Sequence, residues 1–155
     1  MEDQEKNSSF FRFEDLRLYA KATDYSSWLM KELSEPTNKR EKVFVESFCR
    51  SSYDISLNIA EGSARNKSQF EYYLKISKTA IRECVVFTEL AKNLNLFNEE
   101  SYERSRELLM ELTRMVGALI ISIQRSTARR RDNEEFGQPV EEDENDNFPN
   151  IDTEF

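Results

Sequence analysis

Between Phe13 and Ser126 the chain holds only two glycines and one proline. Over more than a hundred residues almost nothing interrupts a helix, and apolar residues recur at spacings of three and four throughout. Strands need alternation and frequent turns, and neither is present. The sequence therefore predicts an all-α fold, and the few breakers divide it. The first helix, over 13–33, stops ahead of Pro36, because the residue before a proline is driven out of the helical region. Asn38, with Glu41 three residues on, has the spacing of a capping box for the second helix. Along that helix Phe44, Phe48, Ile55 and Ile59 form one apolar line, and Gly62 reads as its terminator, a position free to take positive φ. Ser68 and Glu71 repeat the capping-box spacing at the head of a third helix running to about Asn93, and Asn98 starts a fourth. Four long helices with short connections predict an antiparallel up-down-up-down four-helix bundle.

The charge is divided unevenly along the chain. Residues 1–131 carry 22 basic and 20 acidic side chains, whereas 132–155 carry no basic and 10 acidic ones. The expected organisation is a flexible N-terminal arm over 1–12, a bundle over 13–128, and a basic-then-acidic disordered tail over 129–155. That tail is highly charged and poor in aliphatic residues, so it buries too little apolar area to offset ordering. Its acidic stretch precedes Phe148 and the final Phe155, which reads first as a solubilising tail and otherwise as a mixture suited to docking in a basic, apolar groove, on a partner or back on this chain's own arginines. The N-terminus is polar, Cys49 and Cys84 lack metal or redox spacing, and the longest apolar run, 115–123, is far short of a membrane span of about 20 residues. A cytoplasmic protein without membrane contact is expected.

With no histidine in the chain there is no Ser-His-Asp triad, no HExxH zinc site and no Glu-x-x-His di-metal set. No catalytic residue, metal or cofactor is predicted, and the protein is expected not to be an enzyme. Two surfaces carry the functional expectations. On the third helix Tyr72, Val86 and Leu90 fall opposite the core and Ile76 widens its flank; a helix in a lone bundle keeps about half its circumference polar, so the surplus predicts a homo-oligomer interface. Arg65 and Lys67 in the second connection, with Arg125, Arg129, Arg130 and Arg131 at the end of the fourth helix, are the cations able to contact RNA or DNA phosphates.

The segment LNIAEGSARNKSQFE at 57–71, with Asn58, Glu61, Gly62, Arg65, Ser68 and the Phe70-x-x-x-Leu74 run, resembles the four helix bundle protein family, the intervening-sequence proteins of large-subunit ribosomal RNA. Phe13, Leu16, Tyr19 and Ala22 look like that family's first helix, and Glu83 stands where the family has a glutamate; the resemblance spans about 13–127. It implies a bundle assembled into a five-subunit ring. A similar protein, the accessory variability determinant of diversity-generating retroelements, partners a reverse transcriptase and binds nucleic acid through a basic surface. The resemblance implies a non-catalytic, ring-forming accessory protein for a protein or ribonucleoprotein partner, with direct nucleic-acid binding as the alternative. The motif itself is expected to be structural: Asn58 and Glu61, with Gly62 and Arg65, fix the turn by satisfying loop amides and pairing charges.

Overall fold

A computed structural model of the protein describes residues 9–135. A short 3-10 turn, Arg12–Asp15, leads into α1 (Arg17–Glu32), α2 (Lys39–Ser63), α3 (Lys67–Asn93) and α4 (Glu99–Glu135). Each helix packs on its neighbours in the cyclic order α1, α2, α3, α4, and the backbones of the diagonal pairs stay further apart. Connections of six, three and five residues join them, so successive helices run antiparallel and the chain is the expected four-helix bundle.

The helix ends follow local hydrogen-bond chemistry. Asn38 Oδ1 accepts from the amides of Arg40 and Glu41, both at 3.0 Å, while the Glu41 carboxylate accepts from Thr37 N at 2.8 Å and Thr37 Oγ1 at 2.7 Å. The capping box thus closes one residue earlier than its simplest form, on Thr37 rather than Asn38. At α3 the predicted cap is displaced. Asn66, extended at φ −67° and ψ 166°, accepts from Gln69 N at 3.0 Å, and Ser68 lies inside the helix. An Asn two residues upstream in the extended region has already satisfied the first free amides. α3 closes with Asn95 left-handed at φ 57°; Leu96 N donates to Ala91 O and Asn95 N to Lys92 O, the two reversed bonds of a Schellman turn. Asn98 caps α4, accepting from Ser101 N at 2.8 Å.

Three expected boundaries change. The first helix does not begin at Phe13: Leu16 is extended (φ −77°, ψ 120°) and separates the 3-10 turn from α1, which lets the Phe13 ring meet Tyr19 edge-on with centroids 4.9 Å apart. A one-residue extended joint leaves the three-and-four spacing intact and is invisible to periodicity. The described residues begin at Ser9 and include the 3-10 turn, so the boundary expected after residue 12 falls inside that turn; residues 1–8 lie outside the described residues. At the other end α4 passes residue 128 and holds Arg129, Arg130 and Arg131 in helix to Glu135. Arginine and glutamate are good helix formers, and Arg130 with Glu134 and Arg131 with Glu135 stand four apart, so propensity carries the helix out of the bundle. Residues 136–155, with Phe148 and Phe155, lie outside the described residues.

The core is apolar and closely filled. Ala22, Leu29, Phe48, Ile55, Ile59, Leu74, Cys84, Ala91 and Val116 have no exposure, and Phe44, Phe48, Phe87 and Phe97 interlock with Trp28 at centroid distances of 5.3–6.2 Å. Each of the fully buried Leu, Ile, Val and Phe side chains stabilises the fold by about 1.5–3 kcal/mol. Through this core runs one buried polar chain. Thr88 Oγ1 donates to Cys84 O at 2.7 Å, so Ser105 Oγ donates to Thr88 at 2.7 Å and accepts from Tyr25 Oη at 3.0 Å. Three hydroxyls from α1, α3 and α4 satisfy one another, and no buried side-chain polar atom among the described residues lacks a partner. No helix among them is long and apolar enough to cross a membrane.

Candidate interaction surfaces

An exposed stripe of α3 carries apolar side chains, interrupted by Thr79 and Glu83. Tyr72, Val86 and Leu90 are exposed, at 62%, 59% and 41%, and Leu94 joins them at 52%. Ile76 is half-buried on the flank of this stripe. Residues 72, 76, 79, 83, 86, 90 and 94 repeat at spacings of three and four, so at about 100° per residue they form one line along the helix. Phe87 packs from α3 onto Phe44 and Phe48 and fixes the side facing α2. Within the stripe Glu83 is tied down: Ser51 Oγ of α2 donates to its carboxylate at 2.9 Å. Replacing solvent on this line releases apolar area without breaking a hydrogen bond inside the bundle.

The second surface is a groove of about 590 Å³ at the end of the bundle where α2 turns into α3. Its walls are the Ser63–Ser68 connection, the 3-10 turn at Arg12, and α4 at Ile123, Thr127 and Arg130. Arg65, Lys67 and Arg130, three of the six cations singled out in the sequence, come together here; Arg125, Arg129 and Arg131 are exposed on α4 but do not line the groove. Arg12 completes the set and was missed, because it lies in the segment read as a free arm and about 50 residues from Arg65. Only the fold brings it there.

The family-type motif builds this end of the molecule. Gly62 is inside α2 and buried, and it does not take positive φ; an added Cβ would stand 2.6 Å from Tyr73 Cβ and 2.8 Å from Phe70 Cδ2. The glycine is there for close approach of α2 to α3, which overturns the terminator reading. Glu61 and Arg65 do pair their charges. Arg65 Nε donates to the Glu61 carboxylate at 3.0 Å, a second guanidinium nitrogen reaches the same oxygen, and the carboxylate holds the guanidinium above its ordinary pKa. Arg65 also lies over the Tyr73 ring, 6.0 Å from its centroid. Asn58 does not reach the loop: its side-chain amide donates back to Asp54 O at 2.7 Å, one turn earlier. Asn58 is too deep in a regular helix to meet amides beyond residue 63.

Neither thiol is set up to react. Cys49 and Cys84 are buried and free, and burial raises the pKa of both above the ordinary thiol value, which disfavours the nucleophilic thiolate. Among the described residues no group of three or more His, Cys, Asp or Glu is placed to hold a metal ion. The described surface offers an apolar stripe on α3 and a cluster of cations at the groove.

Residues 14–118 match the family model described as 23S rRNA-intervening sequence protein. That span covers most of the chain. The protein belongs to the 23S rRNA-intervening sequence protein family. No curated protein matches it. Within the matched span lie the Asn58–Arg65 motif, the α3 stripe and the Arg65–Lys67 side of the groove, whereas Arg12 and Arg130 stand outside it.

Proposed function

We propose that this intervening-sequence protein is a cytoplasmic, non-catalytic adaptor whose subunits close into a ring through the outer face of α3, with five subunits by resemblance. The observation that carries the reading is the exposed line Tyr72, Val86, Leu90 and Leu94, beside half-buried Ile76. A closed ring needs one repeated heterologous contact, and an apolar line along a single helix suits such a contact. The ring would present identical sites to a protein or ribonucleoprotein partner, a reverse transcriptase among them. Sedimentation velocity of the full chain tests it. The mass expected is that of a closed oligomer, and Val86→Glu with Leu90→Glu reduces it to one subunit; a stable monomer at micromolar concentration, or an unchanged mass in the double variant, overturns it.

A second reading, direct nucleic-acid binding, is favoured by the convergence of Arg12, Arg65, Lys67 and Arg130 on one groove. Each cation placed on a phosphate releases condensed counterions, so binding of single-stranded RNA should weaken with the logarithm of salt concentration. Arg12→Ser with Arg130→Ser should lower that slope by about 1–2. An identical slope removes the groove from the interaction.

A further inference from the structure

The basic groove and the end of α4 are neighbours in one chain. Arg130 lines the groove, and α4 continues only five residues further, about 7.5 Å, to Glu135. Twenty residues follow, and they contain no Lys or Arg. Five of the six residues from Glu141 to Asp146 are carboxylates. The run begins six residues beyond Glu135, within about 20 Å of extended chain, so it can return over Arg130 with length to spare. Gly137 and Pro139 stand between, the two residue types that chain reversals favour.

Charge decides the occupant. Arg12, Arg65, Lys67 and Arg130 bring four basic side chains to the groove, where Arg65 pairs with Glu61. An acidic run tethered a few residues from the groove competes at an effective concentration on the order of millimolar, whereas a free acidic peptide must reach it from bulk solution. We propose that the acidic run at residues 141–146 docks in the groove of its own chain, between the Arg65–Lys67 connection and Arg130, and holds the place a polyanion would take. The contact is largely electrostatic, so it weakens as salt shortens the screening length from about 10 Å at 0.1 M to about 3 Å at 1 M.

Zero-length carbodiimide coupling on the full chain tests this without any nucleic acid. It joins amines to carboxylates in direct contact, and among the described residues Lys67 is the one lysine that lines the groove. Lys42 and Lys92 are at the opposite end of the helices, about 32 Å away along α2 and about 37 Å away along α3. At 0.05 M salt the carboxylates of residues 141–146 should couple to Lys67 at least fivefold more than to Lys42 or Lys92. That excess should vanish at 1 M salt and in Arg12→Ser with Arg130→Ser, which leaves Lys67 intact. Equal coupling to all lysines, or an excess that survives both changes, overturns the proposal. In a co-assembled mixture of unlabelled and ¹⁵N-labelled chains, coupling chiefly between chains of unlike label also overturns it, by placing the run on a neighbouring copy. The Lys67 excess in a protein that binds no RNA would leave this inference standing while the nucleic-acid reading fell.

Discussion

The close approach at Gly62 gives a prediction with an internal control. Replacing Gly62 by Ala adds a methyl 2.6 Å from Tyr73 Cβ and 2.8 Å from the Phe70 ring. Tyr73 Cβ is fixed to its backbone, so relief requires α3 to move away from α2 rather than one side chain to rotate. Overpacking costs about 1–3 kcal/mol, and a contact this short with an atom fixed to the backbone falls in the upper half, about 2–3 kcal/mol. Alanine in a helix interior returns about 0.5–1 kcal/mol over glycine, leaving a net loss of about 1–2 kcal/mol. Gly117 in α4 has nothing within 4 Å of an added Cβ, so Gly117→Ala should show the propensity gain alone. Urea melts followed by helical circular dichroism, at one fixed chain concentration so that any self-association affects both variants alike, should move in opposite directions for the two variants. At roughly 3 °C per kcal/mol, thermal midpoints should fall by about 3–6 °C for Gly62→Ala and rise by about 1–3 °C for Gly117→Ala. If Gly62→Ala is as stable as the parent, the helices are not held at the separation argued here.

The buried hydroxyl chain should be sensitive in a directional way. Ser105→Ala removes the acceptor of the Tyr25 hydroxyl and should destabilise by about 1–3 kcal/mol, and Tyr25→Phe added to it should recover part of that loss; strictly additive losses would argue against coupling. Asn95 occupies the left-handed position that ends α3, so Asn95→Val should cost about 1–2 kcal/mol while Asn95→Gly stays near neutral by the same denaturant assay. The acid limb follows from two carboxylates. Hydrogen bonds from the Thr37 amide and hydroxyl hold Glu41 below its ordinary value of 4.5, and those from Lys75 and Gln124 do the same for Glu71. A carboxylate depressed in the folded state stabilises it above the unfolded pKa and loses that contribution as pH falls through the folded one. Midpoints should therefore drop on acidification below about pH 4.5, and Glu41→Gln with Glu71→Gln should flatten that slope; an unaltered slope would assign the acid sensitivity elsewhere.

The bundle was legible because its evidence is local and repeated. Helical spacing, Pro36, the Asn38 cap and the Asn98 cap each act within a few residues, and each is found where the pattern put it. What failed depends on distances the sequence does not carry. Gly62 near a helix end looks like a left-handed terminator, and only the packing of Tyr73 eleven residues later shows that it makes room instead. Arg129 marks a real change in composition, yet helix propensity outlasts the loss of an apolar face and carries α4 to Glu135. The exposed α3 line was readable from angle alone, since an apolar residue opposite the core is out of place on one helix wheel. The groove was half readable: Arg65 and Lys67 share a connection, but Arg12 and Arg130 join them only through the way the 3-10 turn and α4 pass the end of α2. A signal for the hydroxyl chain was present in Thr88 and Ser105, polar residues falling on otherwise apolar helix faces.

The two surfaces are separate on the subunit, one along the side of α3 and one at the end of the bundle, and that separation has a consequence for assembly. A ring closed through the sides of its subunits leaves their ends free, and rotational symmetry puts every copy of the groove on the same side of the ring. Four cations per subunit then become a circular array that a long polyanion can bridge, each further contact being made at the effective concentration set by the first. A single groove gives only a short, salt-sensitive contact. If the proposed ring forms, dissociating it with Val86→Glu and Leu90→Glu should therefore lower affinity for an RNA of about 40 nucleotides by 10²-fold or more, within the range that linked sites add. Affinity for an RNA of about 6 nucleotides, able to fill one groove, should change by less than about threefold after allowance for the added negative charge. Equal losses for both lengths would mean that the face of α3 itself touches the nucleic acid, and the separation of assembly from binding would fail.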